Sequence, residues 1–234
     1  DGMGSHVAPA CRGLERECAE QVNEEGGIPT RNPEELLEVF TLLTWAAAAL
    51  SEAGYTPGPA HIGAIERIAP TLRTLRHSDG GLARFHGGGR GLEGRLDHAL
   101  AESKIRSRQQ DGLAMGFARL SSGRTSIIVD ASVPPKGAAS VNAHASTLAF
   151  ELTSGRRPVI VNCGSGASFG AEWRRAGRAT PSHSALSLDG FSSARLGQGG
   201  RGGWREERLV DAPTDVPIQM SHAPDGLRFQ GGHN

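Results

Sequence analysis

Up to about residue 105, apolar positions recur at spacings of three and four. Beyond about residue 112 they come in short runs that alternate with polar residues and are broken by Gly and Pro. The first period is that of amphipathic helices, the second that of strands. Asn32, Pro33, Glu34 and Glu35 open a helix well. Asn32 suits the N-cap, Pro33 the first helical position, and the two acids complement the positive end of the dipole. Leu36, Leu37, Phe40, Leu43 and Ala47 then share one apolar face, and Gly54 ends the run. Trp45 falls on this helix and reads as core. A second helix follows the Pro57-Gly58-Pro59 turn, with Ile62, Ile65, Ile68, Leu72 and Leu75 in register. Pro70 lies inside it and is expected to kink or split it. Residues 91–103 and, more weakly, 8–24 read as further helices.

In the second half, residues 112–120 and 125–129 flank a Ser-Ser-Gly turn as a hairpin, and 148–152 and 158–161 flank Thr-Ser-Gly as another. Residues 185–188, 207–210, 216–220 and 227–230 read as further strands. The Gly-rich stretch 198–203 reads as a mobile loop. The result is an α+β multidomain chain: an α/α layer of antiparallel helices, then stacked antiparallel sheets, divided into residues 1–105 and 106–234.

Composition narrows the functional classes. A chain of 234 residues can bury a sizeable core, as one large domain or two small ones. Its formal net charge is zero, so nothing electrostatic favours nucleic acid or a membrane surface as partner. No apolar run is long enough to span a membrane. The basic residues are nearly all Arg, whose fork suits carboxylate and sulfate, although a GC-rich coding bias yields the same composition. Cys11, Cys18 and Cys163 are too scattered for a disulfide framework or a zinc ribbon, and Cys163 reads as a small buried residue. The redox compartment stays open. The chain starts at Asp1 without a charged-then-apolar leader and stops just after a strand-like run, so both ends read as cut from a longer protein.

The chemistry-bearing residues concentrate between Ser140 and Gly190 in three blocks: NAHASTLAFEL (142–152), GRRPVIVNCGS (155–165) and RATPSHSALSLDG (178–190). In order and spacing these resemble the heparinase II/III-like polysaccharide lyases. That family reads, roughly, H-A-H-A-D-x-L-S-F-E-L, then G-x-P-L-I-V-D-P-G-T, then R-S-T-x-x-H-N-T-V-x-V-D-G. The resemblance implies the C-terminal end of an (α/α) toroid followed by an incomplete antiparallel β-sandwich-like domain, with the active site in the cleft between them. It implies cleavage of an acidic, uronate-containing polysaccharide by β-elimination. It also implies a cell-envelope or periplasmic setting, with acidic glycan rather than nucleic acid as partner.

Carried over residue by residue, the catalytic His of the family is Asn142, its Tyr base aligns with Glu35, and its cleft Arg is Arg178. Of the family's metal positions, His144 and His183 are kept and the Asp is Asn162. The three are expected to converge. Asn142 can donate to a carboxylate but cannot titrate. Glu35 reads either as a base or as a helix N-terminal acid. Asn162 is a neutral, weak ligand, so a Zn²⁺ site is weakened. These departures motivate a second reading: a lyase-fold protein that binds anionic glycan without cleaving it. Tyr55, the only tyrosine, sits in an inter-helix turn away from these blocks.

Other segments add binding candidates. Residues 85–91 (FHGGGRG) lack the Lys-Ser/Thr continuation and preceding strand of a phosphate loop. They read either as a flexible turn or as the rim of the saccharide cleft, with His86 and Arg90 on it and a glycine backbone that lets sugar approach. Trp173 with Arg174, Arg175 and Arg178 forms an aromatic and cationic patch suited to an anionic glycan, the alternative being a solvated basic loop. Trp173 and Trp204 lie in loops, placed to stack on a sugar ring.

Overall fold

The computed structural model describes residues 4–106, 112–198, 206–224 and 226–234. Of the Gly-rich stretch only Gln198 is described, and Trp204 lies outside the described residues. Helices come first: α1 (Gly4–Gln21), α2 (Pro33–Glu52), α3 (Pro59–Thr74) and α4 (Arg95–Glu102). The Asn32 side chain accepts hydrogen bonds from the backbone N–H of Glu34 (3.0 Å) and Glu35 (3.2 Å), so α2 starts where its cap dictates. Leu36, Leu37, Phe40 and Leu43 of α2 and Ile65, Ile68 and Leu72 of α3 are buried. No helix among the described residues is long and apolar enough to cross a membrane.

Two expectations change in this half. Helix α3 is not split at Pro70 but runs through it as one element. The ring costs only the bond to the carbonyl one turn back, and burial of Ile65, Ile68 and Leu72 around it holds the helix together. Trp45 is not core: it is 53% exposed, and its indole N–H donates to Glu102 Oε2 at 3.0 Å. It clamps α2 to the end of α4.

The second half begins with a five-stranded antiparallel meander of β1 (Leu113–Ala114), β2 (Phe117–Ser122), β3 (Thr125–Asp130), β4 (Phe150–Ser154) and β5 (Arg157–Ile160). Two smaller pairs follow: β6 (Arg195–Gly197) with β7 (Arg208–Val210), and β8 (Ile218–Ala223) with β9 (Gly226–Gly231). The stretch 185–188 contributes only the isolated bridge Leu188–Phe191. Residues 171–176, read as loop from the sequence, form a short helix, α5 (Ala171–Ala176).

The sheet separates two apolar layers by its period of two. Phe117 and Ile128 face the helices and join their core, together with Met115 and Ala149. Ala118, Val129, Leu120, Ile127 and Phe150 face the other way and pack with Ile218, Met220 and Phe229 of the β8–β9 hairpin. The cross-strand register agrees, pairing Phe117 with Asp130, Ala118 with Val129 and Ile128 with Glu151. The helix-facing row also carries the polar links between the halves. Arg119 donates to the carbonyls of Thr74 and Arg76. Glu151, fully buried, takes His77 Nε2 at 2.7 Å and the backbone N–H of Arg84 at 3.2 Å. The candidate site grows from this junction.

Candidate functional site

Four segments meet around His144. The first is the loop at residues 85–90, moored to α2 by a hydrogen bond from the Gly89 N–H to Glu34 Oε2 at 2.8 Å. The second is residues 142–147, between β3 and β4. The third is the turn after β5 that carries Asn162, and the fourth is the stretch from α5 to Ser184. Gly87 has φ +93°, and a Cβ there would come within 2.9 Å of Asn142 Cβ, so only glycine fits where the loop touches Asn142.

The histidines lie inside, not on the rim. His86 is 1% exposed. Its Nε2 stands 3.2 Å from Asp130 Oδ2, close enough for electrostatic pairing but off the line of a good hydrogen bond. Its Nδ1 accepts the backbone N–H of His144 at 3.3 Å. Asp130 is also held by Arg31 Nη2 at 2.6 Å and by Ser146 Oγ at 3.2 Å. Burial pushes its carboxyl up, but Arg31 and His86 together hold it below the usual carboxylate value. Burial depresses the His86 pKa despite Asp130 beside it. The expectation of His86 on a cleft rim is therefore corrected: the Asp130 carboxylate draws it into the interior.

His144 and His183 stack, with ring centroids 4.7 Å apart and planes inclined by 26°. His144 Nε2 accepts the Gly87 N–H at 2.9 Å, and its Nδ1 is buried without a partner. Burial, then His183, keep its pKa well below the ordinary value. Burial, then His86, bring His183 down to about 4, although the Gly177 carbonyl pulls the other way. Both rings are neutral at physiological pH. Neither nitrogen of His183 has an aligned hydrogen-bond partner. Asn162 lies alongside, because the flanking backbone is paired: Asn162 Oδ1 accepts the Ser184 N–H at 3.1 Å, and Cys163 N–H donates to the Ser182 carbonyl at 3.4 Å. Asn162 Nδ2 is buried and unpartnered. Cys163 itself is exposed, not buried as its size suggested.

These residues do not fit a Zn²⁺ ion as arranged. A neutral imidazole whose Nε2 accepts a hydrogen bond must carry its proton on Nδ1, which removes the lone pair a metal needs. Asn162 Oδ1 is taken by the Ser184 N–H, so the unpaired end of the amide is a donor, not an oxygen. Among the described residues, no group of three or more His, Cys, Asp or Glu is placed to hold a metal.

The surface above is polar and accessible. Asn142 is exposed, and its Oδ1 accepts from Arg174 Nη2 at 2.8 Å. Arg174 also donates to the Val141 carbonyl at 3.0 Å, which leaves the Asn142 amide N–H₂ free to donate. Trp173, 65% exposed, meets Phe169 edge-on at 6.5 Å, and the two wall a cavity of about 420 Å³ with Cys163 and Ser182. The structure thus brings Asn142, Arg174, Trp173, His144, Asn162 and His183 into one region.

Three expected residues stand elsewhere. Arg178 is buried. Its guanidinium donates to the carbonyls of Ala143 (2.8 Å), Ser140 (2.8 Å) and Glu207 (3.2 Å), so its donors are spent on backbone, and it borders a separate cavity with Arg175, Phe191 and Arg195. Glu35 lines an apolar cavity of about 520 Å³ between α1 and α2, with Leu14, Val22 and Leu43. Arg90 pairs with Asp79 at 3.4 Å. Sequence reasoning missed Arg31, Asp130 and Glu151. The helix-facing parity of Asp130 and Glu151 in the strand pattern was the available signal.

Residues 104–234 match the family described as Heparinase II/III-like, C-terminal. Among curated proteins, the chain is 33% identical over 141 residues to FtsZ-localized protein C of Caulobacter vibrioides, a match covering 60% of this chain and 24% of that protein. Among solved structures, a heparinase III superposes with a TM-score of 0.66 at 16% identity, covering 95% of this chain and 38% of that one. Heparan sulfate lyase HepC from Pedobacter heparinus superposes with a TM-score of 0.61 at 16% identity, over 93% of this chain and 38% of its own. The chain therefore spans well under half the length of the relatives it matches.

Proposed function

The chain belongs to the heparinase II/III-like family, and from that premise we propose that it is the glycan-facing part of a lyase-fold protein that acts on an acidic, uronate-containing polysaccharide. The observation that carries this reading is the Asn142–Arg174 pair. An exposed amide and a guanidinium are hydrogen-bonded to each other at 2.8 Å, beside the glycine loop that packs closely against Asn142. A uronate carboxylate needs donors that stay protonated at neutral pH, and Asn and Arg both supply them. Trp173 stands next in the chain to Arg174, where its face can take the C–H side of a sugar ring.

In β-elimination these groups neutralise the uronate carboxylate and make its C5 proton removable. A base must then take that proton, and the leaving oxygen must be protonated. Asn142 cannot titrate, and His144 is buried with Nε2 committed to Gly87. We assign the proton transfers to the part of the whole protein outside this chain. The same two observations favour a second reading, in which the protein binds acidic glycan without cleaving it. In both, the helices stand at the end of an (α/α) toroid, the sheets begin a β-sandwich-like domain, and the setting is periplasmic or extracellular.

Uronate oligosaccharides incubated with the full-length protein distinguish the two. A rise in ultraviolet absorbance from the unsaturated product supports the lyase. Binding without that product supports the second reading, and neither binding nor product defeats both.

A further inference from the structure

His144, Asn162 and His183 carry buried polar atoms that lack hydrogen-bond partners. His144 is 0% exposed, Asn162 2% and His183 8%. His144 Nδ1, Asn162 Nδ2 and both ring nitrogens of His183 lack partners. The polarity of the first two is set by the neighbouring backbone. Gly87 N–H donates to His144 Nε2, so the proton of the neutral ring sits on Nδ1. Ser184 N–H donates to Asn162 Oδ1, so the amide cannot flip and Nδ2 remains a donor. Neutral His183 carries one N–H, which faces the Gly177 carbonyl off the line of a good hydrogen bond, and one bare nitrogen. A buried donor left unmade is costly, and two of them side by side are tolerated only if something accepts from them. The charged groups that face the cluster, Asp130 and Glu151, are spent on Arg31 and Ser146 and on His77 and Arg84 respectively.

We propose that this cluster is a buried acceptor site: it holds water through donated hydrogen bonds, and it excludes the divalent cation that the family's metal positions imply. Water fits because it accepts from His144 Nδ1–H and Asn162 Nδ2–H and can return a proton to the bare nitrogen of His183, giving it the two to four partners that buried water typically has. A cation does not fit, because both backbone-fixed groups turn hydrogen toward it. The position has thus been inverted in polarity, with two backbone N–H groups fixing the inversion. The inference stands independently of the glycan reading.

Metal analysis and thermal melting of the full-length protein test it. The wild type is expected to purify without stoichiometric zinc and to melt at the same temperature with chelator, with added Zn²⁺ and with neither. Stoichiometric zinc, or a melting temperature that falls on chelation, overturns the proposal. Asn162→Asp replaces a fixed donor by an anionic acceptor. Only one of the two fixed donors is removed, and the Gly87 N–H still holds the His144 proton on Nδ1, so the folded variant should also purify without stoichiometric zinc. Stoichiometric zinc in it refutes the polarity argument. Histidine-labelled wild-type protein gives a reading that needs no variant. NMR should find the His144 proton on Nδ1, with a cross-peak to long-lived water. A proton on Nε2, or a dry Nδ1–H, contradicts the proposal.

Discussion

Arg178 illustrates how a residue can sit beside a site and still serve the fold. Its guanidinium reaches the carbonyls of Ser140, Ala143 and Glu207, and burial lowers its pKa to about 10 without discharging it. Arg178→Ala strips three carbonyls of a charged donor and should cost about 3 kcal/mol or more in urea denaturation. Lys should not rescue, since one ammonium cannot span the fork. His183 makes a pH prediction. Its folded pKa, about 4, lies below the ordinary 6.5. Above 6.5 the ring is neutral in both states and adds no pH dependence. Between 6.5 and 4 the unfolded chain takes up a proton that the folded chain refuses, so stability falls as pH falls, by about 2 kcal/mol from roughly pH 7 to 5. His86 and His144 shift in the same direction. Denaturant midpoints across that window check this, and a midpoint flat with pH contradicts it. The blocks around 144, 162 and 183 were legible because spacing marks them. Asp130 and Arg31 were not, because a buried ion pair between residues 99 positions apart leaves no local trace.

At the scale of elements, polar ties join the helices to the sheet alongside the shared apolar face. Arg31 reaches Asp130 and the carbonyls of Met115, Gly116 and Val133 from the turn before α2. Asp130→Asn leaves Arg31 buried without its counter-charge and should cost about 3–5 kcal/mol in denaturant titration; a loss below 1 kcal/mol would mean solvent reaches the pair. Gly87→Ala should push the 85–90 loop off Asn142, since φ is +93° and the new Cβ meets Asn142 Cβ at 2.9 Å. Loss of glycan binding together with a loss of stability of roughly 1 kcal/mol or more is the expected outcome. Element types were readable from period: α2 and α3 from their three-and-four spacing, β2 to β5 from alternation around Gly turns. The split at Pro70 and the burial of Trp45 did not follow because local rules omit packing, which keeps α3 one element and gives the Trp45 indole an outside acceptor. Helix α5 was missed because its six residues are too short to show a period.

For the whole molecule, the division we propose near residue 105 is one of secondary structure. The main core runs across it, from Leu36 and Phe40 to Phe117 and Ile128. That continuity explains why the region of Asn142 and Arg174 is built from both halves. The family could be read from three blocks of sequence, whereas the direction in which each side chain points could not. Arg178 turned inward and Arg174, one helical turn earlier, took the exposed place beside Asn142. Calorimetric titration of the full-length protein with a uronate oligosaccharide and with its carboxyl-reduced, neutral counterpart tests the central claim most directly, with Arg174→Ala as the variant. The account predicts that wild type prefers the acidic form and that Arg174→Ala weakens it by about 1.5–3 kcal/mol while leaving the neutral form unchanged. Equal affinity for the two oligosaccharides, or an Arg174→Ala protein that binds the acidic form as wild type does, would contradict it.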